Sequence, residues 1–247
     1  MKITMEEAPA LKDAIEAVVN LVEEGVFEVN EDGLSLKAMD PSQISMVSFS
    51  MPKSMFSEYV VGDQKRIGLD IGKLARVLAR GNSGESVELE VDEGRLNITF
   101  KGKKRKRVFK LPLLDLGEGL EREPKIEYKN KAVMRSDVLR EVLKDAKLVS
   151  THISFVLDGN VLKVEIKGDD GEIKEEFEKE GEALKELEIE SGAKATYPLS
   201  YMEDIIKGSK GDTDIMMCIE SDRPLKIEYS IVGANAKYFL APRIENV

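Results

Sequence analysis

One pattern recurs four times along the 247 residues: a short helical stretch, then a hairpin, then further strands. Repetition of this kind is a property of the architecture, so it limits the fold before any single motif does. The first helical stretch covers 9–24 and begins with Pro9, which suits a first turn. Leu11, Ala14, Ile15, Val18, Val19 and Val22 follow at helical spacing, and Gly25 is placed to end the helix. Strand-like runs at 26–30, 34–39 and 44–51 come next, with Glu31-Asp32-Gly33 turning the first hairpin. A second helical patch at 72–80 precedes strands at 86–91, 96–101 and 105–113, turned at Asp92-Glu93-Gly94.

The third helix, 136–149, takes Ser136 as its expected N-cap. Strands at 153–157 and 161–167 follow, turned at Asp158-Gly159-Asn160. The fourth helix opens on Ser200-Tyr201-Met202-Glu203, a capping-box pattern, and runs to Lys207. Strands at 214–221, 225–231 and 237–240 close the chain. Between the halves, Gly117-Glu118-Gly119-Leu120-Glu121-Arg122-Glu123-Pro124 is charged, marked by Gly and Pro, and almost free of apolar residues. That is linker chemistry. The expected class is α+β: two similar domains, 1–116 and 128–247, joined by a connector at 117–127, each domain a duplicated helix-plus-antiparallel-strands unit.

The residue inventory gives no sign of an enzyme. His152 is the single histidine and Cys218 the single cysteine, so a His-rich metal site is impossible and a disulfide within the chain is excluded. The Gly-Lys pairs at 72–73 and 102–103 have Ile67 and Asn97 where a phosphate-binding loop needs its earlier glycine. Asp169-Asp170-Gly171-Glu172 lacks the ligand spacing of a calcium loop and reads as a hairpin turn. No catalytic residue, metal or cofactor is expected. No apolar run reaches the roughly 20 residues needed to span a membrane, and no secretory signal is expected at the N-terminus.

Charge is where the chain becomes specific. With 37 Lys+Arg against 47 Asp+Glu, the formal net charge is −10, which by itself argues against a polyanionic partner. The distribution says otherwise. Lys73, Arg76 and Arg80 fall within an arc of roughly 60° on the second helix, with no acid among them. On the third, Arg140, Lys144 and Lys147 share one stripe, Asp137, Glu141 and Asp145 the neighbouring arc, and Val138, Leu139, Val142, Leu143 and Ala146 the core face. Lys207 and Lys210 end the fourth helix, and Lys12 is the first helix's single cation. For one helix, a solvated face with i,i+4 pairs is the ordinary outcome. Three basic stripes in an acidic chain point to a shared positive surface that reads no base sequence.

Two strands carry opposite charge. Lys101-Gly102-Lys103-Lys104-Arg105-Lys106-Arg107-Val108-Phe109-Lys110 is basic, and Glu172-Ile173-Lys174-Glu175-Glu176-Phe177-Glu178-Lys179-Glu180 mainly acidic. The first alone could be a nucleic-acid patch or a solubilising loop. As a pair they read as edge strands guarded against self-pairing. Each repels its own copy and attracts the other, which suits a head-to-tail contact between chains of the kind that closes rings.

The segment Leu36-Lys37-Ala38-Met39-Asp40-Pro41-Ser42 and the closing Tyr238-Phe239-Leu240-Ala241-Pro242-Arg243-Ile244-Glu245 resemble landmarks of the sliding clamps of the proliferating cell nuclear antigen family, archaeal type. Ile67-Gly68-Leu69-Asp70, Lys147-Leu148-Val149-Ser150 and Pro224-Leu225-Lys226-Ile227-Glu228-Tyr229 fall in order between them. The resemblance implies the DNA-clamp fold, a homotrimeric ring around double-stranded DNA, and the tethering of replicative polymerase, clamp loader, flap endonuclease and DNA ligase. It implies no catalysis and an intracellular, prokaryotic setting. By position it places DNA contacts at Lys12, Arg76, Lys144 and Lys207, which Lys73, Arg80, Arg140, Lys147 and Lys210 join by helical geometry. A pocket for a glutamine-aliphatic-aromatic-aromatic motif falls at Met39, Ile44, Met46, Leu120, Pro224, Tyr238, Phe239, Ala241 and Pro242. Core filling is the plainer reading of some of these, Tyr238 above all. The subunit contact falls at Arg105, Arg107 and Phe109 on one strand and Ile173, Glu175 and Phe177 on the other. The sequence departs from the family in its connector, where Glu121, Arg122 and Glu123 stand in place of apolar groups and leave Leu120 as the anchor, and at Ala79, where a cation is usual. A subunit of a heterotrimeric clamp, or a two-domain peptide-binding scaffold that binds no DNA, are the competing readings.

Overall fold

The computed structural model describes residues 1–62, 65–117, 119, 122–169, 171–179 and 181–244. It divides into two compact units: Met1–Pro41, Val47–Arg122 and Ile231–Ala236 form unit 1, and Ser42–Met46, Glu123–Ser230 and Lys237–Val247 form unit 2. The single cut expected at the connector thus becomes a division that also assigns 42–46 to unit 2 and 231–236 to unit 1.

Unit 1 begins with β1 (Lys2–Met5), α1 (Ala8–Val19), β2 (Glu24–Val29), β3 (Gly33–Met39), β4 (Ser45–Pro52) and β5 (Glu58–Val60). It continues with β6 (Lys65–Asp70), α2 (Ile71–Leu78), β7 (Ser86–Asp92), β8 (Arg95–Lys101) and β9 (Lys106–Pro112). Unit 2 repeats the order: β10 (Lys131–Arg135), α3 (Ser136–Ala146), β11 (His152–Asp158), β12 (Val161–Lys167), β13 (Glu172–Glu178) and β14 (Leu184–Glu188). Its second half is β15 (Ala193–Pro198), α4 (Leu199–Lys207), β16 (Asp214–Cys218), β17 (Leu225–Ile231) and β18 (Ala234–Leu240).

The repeat is therefore longer than the sequence pattern shows. Each copy opens with a strand, β1, β6, β10 or β15; the last three run straight into their helices, while Glu6 and Glu7 separate β1 from α1. These leading strands do not join their own hairpins. β1 pairs antiparallel with β7, with Ile3 opposite Leu89, and β6 pairs with β2, with Ile67 opposite Phe27. In unit 2, β10 pairs with β16, Ala132 opposite Met217, and β15 with β11, Ala195 opposite Phe155. Each leading strand pairs with a strand of its twin repeat, and β1 and β10 pair on their other side with β5 and β14 of their own, so one edge of each is satisfied only when the twin is folded. Strand order is β5-β1-β7-β8-β9 in one sheet of unit 1 and β13-β12-β11-β15 in one sheet of unit 2.

The helices pack in pairs, α1 with α2 and α3 with α4. Leu11, Ala14, Ile15 and Val18 of α1 and Ile71, Leu74 and Leu78 of α2 are buried. Leu139, Val142, Leu143 and Ala146 of α3 and Met202, Ile205 and Ile206 of α4 are buried in turn. Each such aliphatic side chain contributes about 1.5–3 kcal/mol on leaving water.

Local signals need four corrections. The first helix ends at Val19, not at Glu24: the Leu21 and Val22 N–H groups turn back to bond the Val18 carbonyl, and Gly25 lies inside β2, where an added Cβ would sit 2.7 Å from Leu36 Cδ1. Ser136 is not a cap. Arg135 holds the N-cap position, and the fully buried Ser136 hydroxyl shares a hydrogen bond with Ser209. Pro198, rather than Ser200, precedes α4 with no side-chain cap, and Glu203 is engaged by Lys147 of α3 instead. The third helix stops at Ala146.

Gly168 shows how tightly the end of α3 is held. A Cβ there would lie 1.8 Å from the Val149 carbonyl oxygen, at the start of the β12–β13 turn. Gly168→Ala is expected to cost about 1–3 kcal/mol of stability through this clash. Gly62→Ala, where an added Cβ meets nothing within 4 Å, is expected to leave the calorimetric midpoint almost unchanged.

Candidate functional site

In unit 1, Asp70 caps α2: its Oδ1 accepts from the Lys73 backbone N–H at 2.7 Å, and its Oδ2 lies 2.8 Å from Lys73 Nζ. The bond from Lys73 holds the Asp70 carboxyl below its usual range. Lys73 thus spends part of its charge on its own helix. Lys12 does the same on α1, at 3.0 Å from Glu16 and 3.7 Å from Asp13. Arg76 and Arg80 differ. Both are exposed, at the C-terminal end of α2 where the helix dipole favours cations, and neither has an ion pair among the described residues.

In unit 2 the stripe on α3 resolves into three distinct roles. Arg140 Nη2 donates to the Ile206 carbonyl at 2.9 Å and to the Ser209 carbonyl, and Nε donates to Ser136 Oγ at 3.2 Å. Its guanidinium adds donors at the C-terminal end of α4, where the Ile206 carbonyl also accepts from the Ser209 N–H at 3.0 Å and the Ser209 hydroxyl at 2.6 Å. Lys147 Nζ reaches Glu203 of α4 at 2.9 Å. Lys144 is exposed with no ion pair among the described residues, as is Lys207 in the last turn of α4. Lys210 follows, exposed, with its backbone N–H donating to Thr213 Oγ1 at 3.0 Å.

The residues expected in the partner pocket separate by burial. Met46, Tyr238 and Phe239 are core, at 2%, 0% and 5% exposure. The Tyr238 and Tyr229 rings stack with centroids 5.6 Å apart and their hydroxyls bond at 2.8 Å, while Tyr229 donates to the Ile205 carbonyl. Burial pushes the Tyr238 phenol well above its ordinary range. Ile44, Pro224, Ala241 and Pro242 are half-buried, and the Ala241 N–H donates to the Ile44 carbonyl at 2.9 Å, fixing the final segment beside that loop. Met39, in unit 1, is 37% exposed. Leu120 and Glu121 lie outside the described residues. Of the connector's charged positions, Glu123 accepts from Lys237 Nζ of β18 at 3.0 Å, forming an ion pair.

The two strands of opposite charge are both sheet edges: β9 ends its order in unit 1 and β13 in unit 2. Each alternates residue by residue between exposed and half-buried. On β9, Arg107, Phe109 and Leu111 turn inward and Lys106, Val108 and Lys110 outward. Arg107 is committed within the chain, ion-paired with Glu85 and lying over the Phe100 ring at 4.9 Å. Arg105 stands just before β9 and is exposed. On β13, Ile173, Glu175 and Phe177 turn inward. Burial, and then the nearby Asp145 of α3, raise the Glu175 carboxyl above its usual range, as happens to an anion lacking a cation. Leu148, one turn beyond Asp145, is 83% exposed, and Val108 is 49% exposed. Sequence reasoning missed both as surface features, because a single apolar residue past a helix end, or within a basic strand, carries no periodic signal.

The remaining reactive groups are inert here. Cys218 is buried, which pushes its thiol up. His152 Nδ1 lies 2.9 Å from Thr151 Oγ1 and 3.4 Å from Arg243, and burial followed by that cation lowers its pKa. Among the described residues, no three His, Cys, Asp or Glu are grouped to hold a metal ion. No helix among them is long and apolar enough to cross a membrane.

Comparison with known proteins agrees over the full length. Residues 1–119 match the family model for "Proliferating cell nuclear antigen, N-terminal domain" and 122–244 that for its C-terminal domain. The chain is 36% identical over 241 residues to a DNA polymerase sliding clamp of Methanococcus maripaludis, covering 95% of this chain and 96% of that one. It is 34% identical over 247 residues to DNA polymerase sliding clamp 1 of Thermococcus kodakarensis, covering 99% and 98%. Among solved structures, PCNA from T. kodakaraensis superposes with a TM-score of 0.92 at 28% identity, covering 98% of this chain and 99% of that one. A. fulgidus PCNA with the C-terminal region of FEN-1 bound superposes at 0.88 and 25% identity, covering 100% and 99%.

The division of labour on α3 has a direct check. Arg140→Gln should lower unfolding free energy by about 1–3 kcal/mol, the value of hydrogen bonds from a charged donor. Lys144→Gln should change it by less than about 0.5 kcal/mol in the same urea titration.

Proposed function

The chain belongs to the proliferating cell nuclear antigen family, and from this membership and its charge layout we propose that it is a DNA polymerase sliding clamp: three copies closed into a ring around duplex DNA. The observation that carries the reading is the pair of edges. β9 is a basic edge of one unit and β13 an acidic edge of the other. A contact between the β9 of one copy and the β13 of the next extends both sheets with opposite charge at the junction. It uses different surfaces on the two copies, so it propagates until rotation closes the ring. Leu148 and Val108 gain apolar burial there, and Glu175 gains the cations with which it makes no ion pair among the described residues of its own chain. One chain carrying both complementary edges favours identical copies over a heterotrimer.

Arg76, Arg80, Lys144 and Lys207 face the encircled duplex in this reading, with Lys73, Lys12, Lys147 and Lys210 contributing charge already shared with neighbouring acids or backbone. Arg140 supports them by fixing α4. They contact phosphate alone, so the ring slides. Such a clamp does no chemistry. It raises the local concentration of an enzyme at DNA by tethering. The enzymes dock by a glutamine-aliphatic-aromatic-aromatic motif, for which the half-buried Ile44, Pro224, Ala241 and Pro242 of unit 2 are the candidate residues. The solved relative carrying the C-terminal region of FEN-1 supports that mode, and the archaeal relatives support an intracellular replication setting.

Light scattering during size exclusion should give three times the chain mass of 27.5 kDa; a mass of 27.5 kDa at micromolar concentration would refute the ring. Arg76→Glu with Lys144→Glu should shorten the products of a clamp-dependent polymerase while the trimer persists, and unchanged product length would remove these residues from the DNA face. Calorimetry with a peptide of the motif should show binding that Pro242→Glu abolishes, and equal binding by the variant would misplace the pocket.

A further inference from the structure

The tip of the β8–β9 hairpin is more basic than an edge strand needs. Lys101 and Lys106 are the last ladder pair, and the Gly102 N–H donates to the Arg105 carbonyl at 2.9 Å to close the turn. Lys103 and Lys104 therefore stand in the turn itself, off the ladder. They guard no backbone groups, so edge protection, which Lys106 and Lys110 supply, does not account for them. Lys103, Lys104, Arg105 and Lys106 are all exposed, and none has an ion pair among the described residues. Four adjacent cations with no acid repel one another, a cost relieved by a polyanion.

The tip also has a defined place. An added Cβ at Gly102 would lie 3.4 Å from Glu85 Cγ, and Glu85 Oε2 accepts from the Asn82 N–H at 2.9 Å, in the loop that leaves α2. At Gly81 an added Cβ would lie 2.8 Å from Phe100 Cε1 of β8. The turn thus abuts the segment that begins with Arg80, at the end of α2 carrying Arg76. Glu85, the acid between them, is already taken by Arg107. Arg76, Arg80, Lys103, Lys104 and Arg105 are thus exposed cations on two segments that meet at Glu85, where Glu7 Oε2, accepting from the Gly84 N–H at 3.2 Å, is the one neighbouring acid without an ion pair among the described residues.

We propose that this hairpin tip is a second contact for the phosphate backbone of duplex DNA, continuous with the end of α2. The proposal rests on the clamp reading and extends it to residues outside the helices. The tip holds no aromatic group to stack on a base, so the contact is with phosphate and independent of sequence. Flexible lysines at a turn form short-lived contacts that add affinity without halting sliding.

The test is the salt dependence of duplex binding by the full-length trimer, read by fluorescence anisotropy, for wild type and for Lys103→Gln/Lys104→Gln/Arg105→Gln. Each phosphate contact adds about 0.9 to the slope of log Kobs against log salt. The triple variant should lose about 1–3 from that slope while light scattering still reports a trimer. An unchanged slope, as for a tip that serves an acidic protein, overturns the proposal. So does a variant that no longer forms the trimer, since the tip would then act between copies. A wild-type protein with no salt slope would overturn the clamp reading as well, whereas a normal wild-type slope that the triple variant preserves overturns only the role of the tip.

Discussion

Everything else in the fold depends on the exchange of leading strands. β1 is paired in the sheet of the second repeat and β6 in the sheet of the first, and β10 and β15 repeat the exchange in unit 2. A leading strand left alone would expose unpaired N–H and C=O groups, so the two repeats of a unit must fold as one body. The exchange also sets the helices. α2, α3 and α4 follow their strands without a loop, so the register of β6 fixes where α2 begins, with Asp70 both the end of the strand and the cap of the helix. Cations at chosen turns of α2, α3 and α4 then take fixed positions on the surface.

The net charge of −10 looks adverse to DNA, and three copies together would carry −30. The sum averages over surfaces with different work. Lys73, Lys12 and Lys147 are balanced within a few ångström by Asp70, Glu16 and Glu203. Arg76, Arg80, Lys144 and Lys207 make no ion pair among the described residues, although Arg76 acts through space on Asp70 and Lys207 on Asp204. Attraction to DNA is decided by such unspent charges and not by the total. A ring with few of them is held on the duplex by enclosure and only weakly by attraction, which is what movement along DNA demands.

Much of this was legible in the sequence, for reasons that are physical. The hairpins were marked by Asp-Gly and Glu-Gly turns whose glycines take positive φ, such as Gly94 and Gly159. The edges were marked by charge at alternating positions. The leading strands were not legible, because four to six residues such as Lys2–Met5 are too short to establish a period and their partners lie far along the chain. Ser136 and Ser200 sat at cap positions by local rule, yet one is buried against Ser209 and the other follows Pro198, so tertiary packing overrode the local preference. Arg140 was counted with Lys144 because helical geometry places them on one stripe. It could not be known that the α4 carbonyls lay within reach of one and not the other. Of the pocket candidates, Tyr238 is core, as its plainer reading had it, and Phe239 is core as well, which only burial distinguishes.

The central claim is retention by topology. The most direct measurement loads the chain onto a nicked circular plasmid with an archaeal clamp loader and ATP, then separates protein from DNA by gel filtration in high salt. The account predicts that the protein stays with the circle, because salt screens attraction but cannot open a closed path, and that cutting the circle once releases it. Release from the intact circle at the same salt, or retention on the linear form, would contradict it.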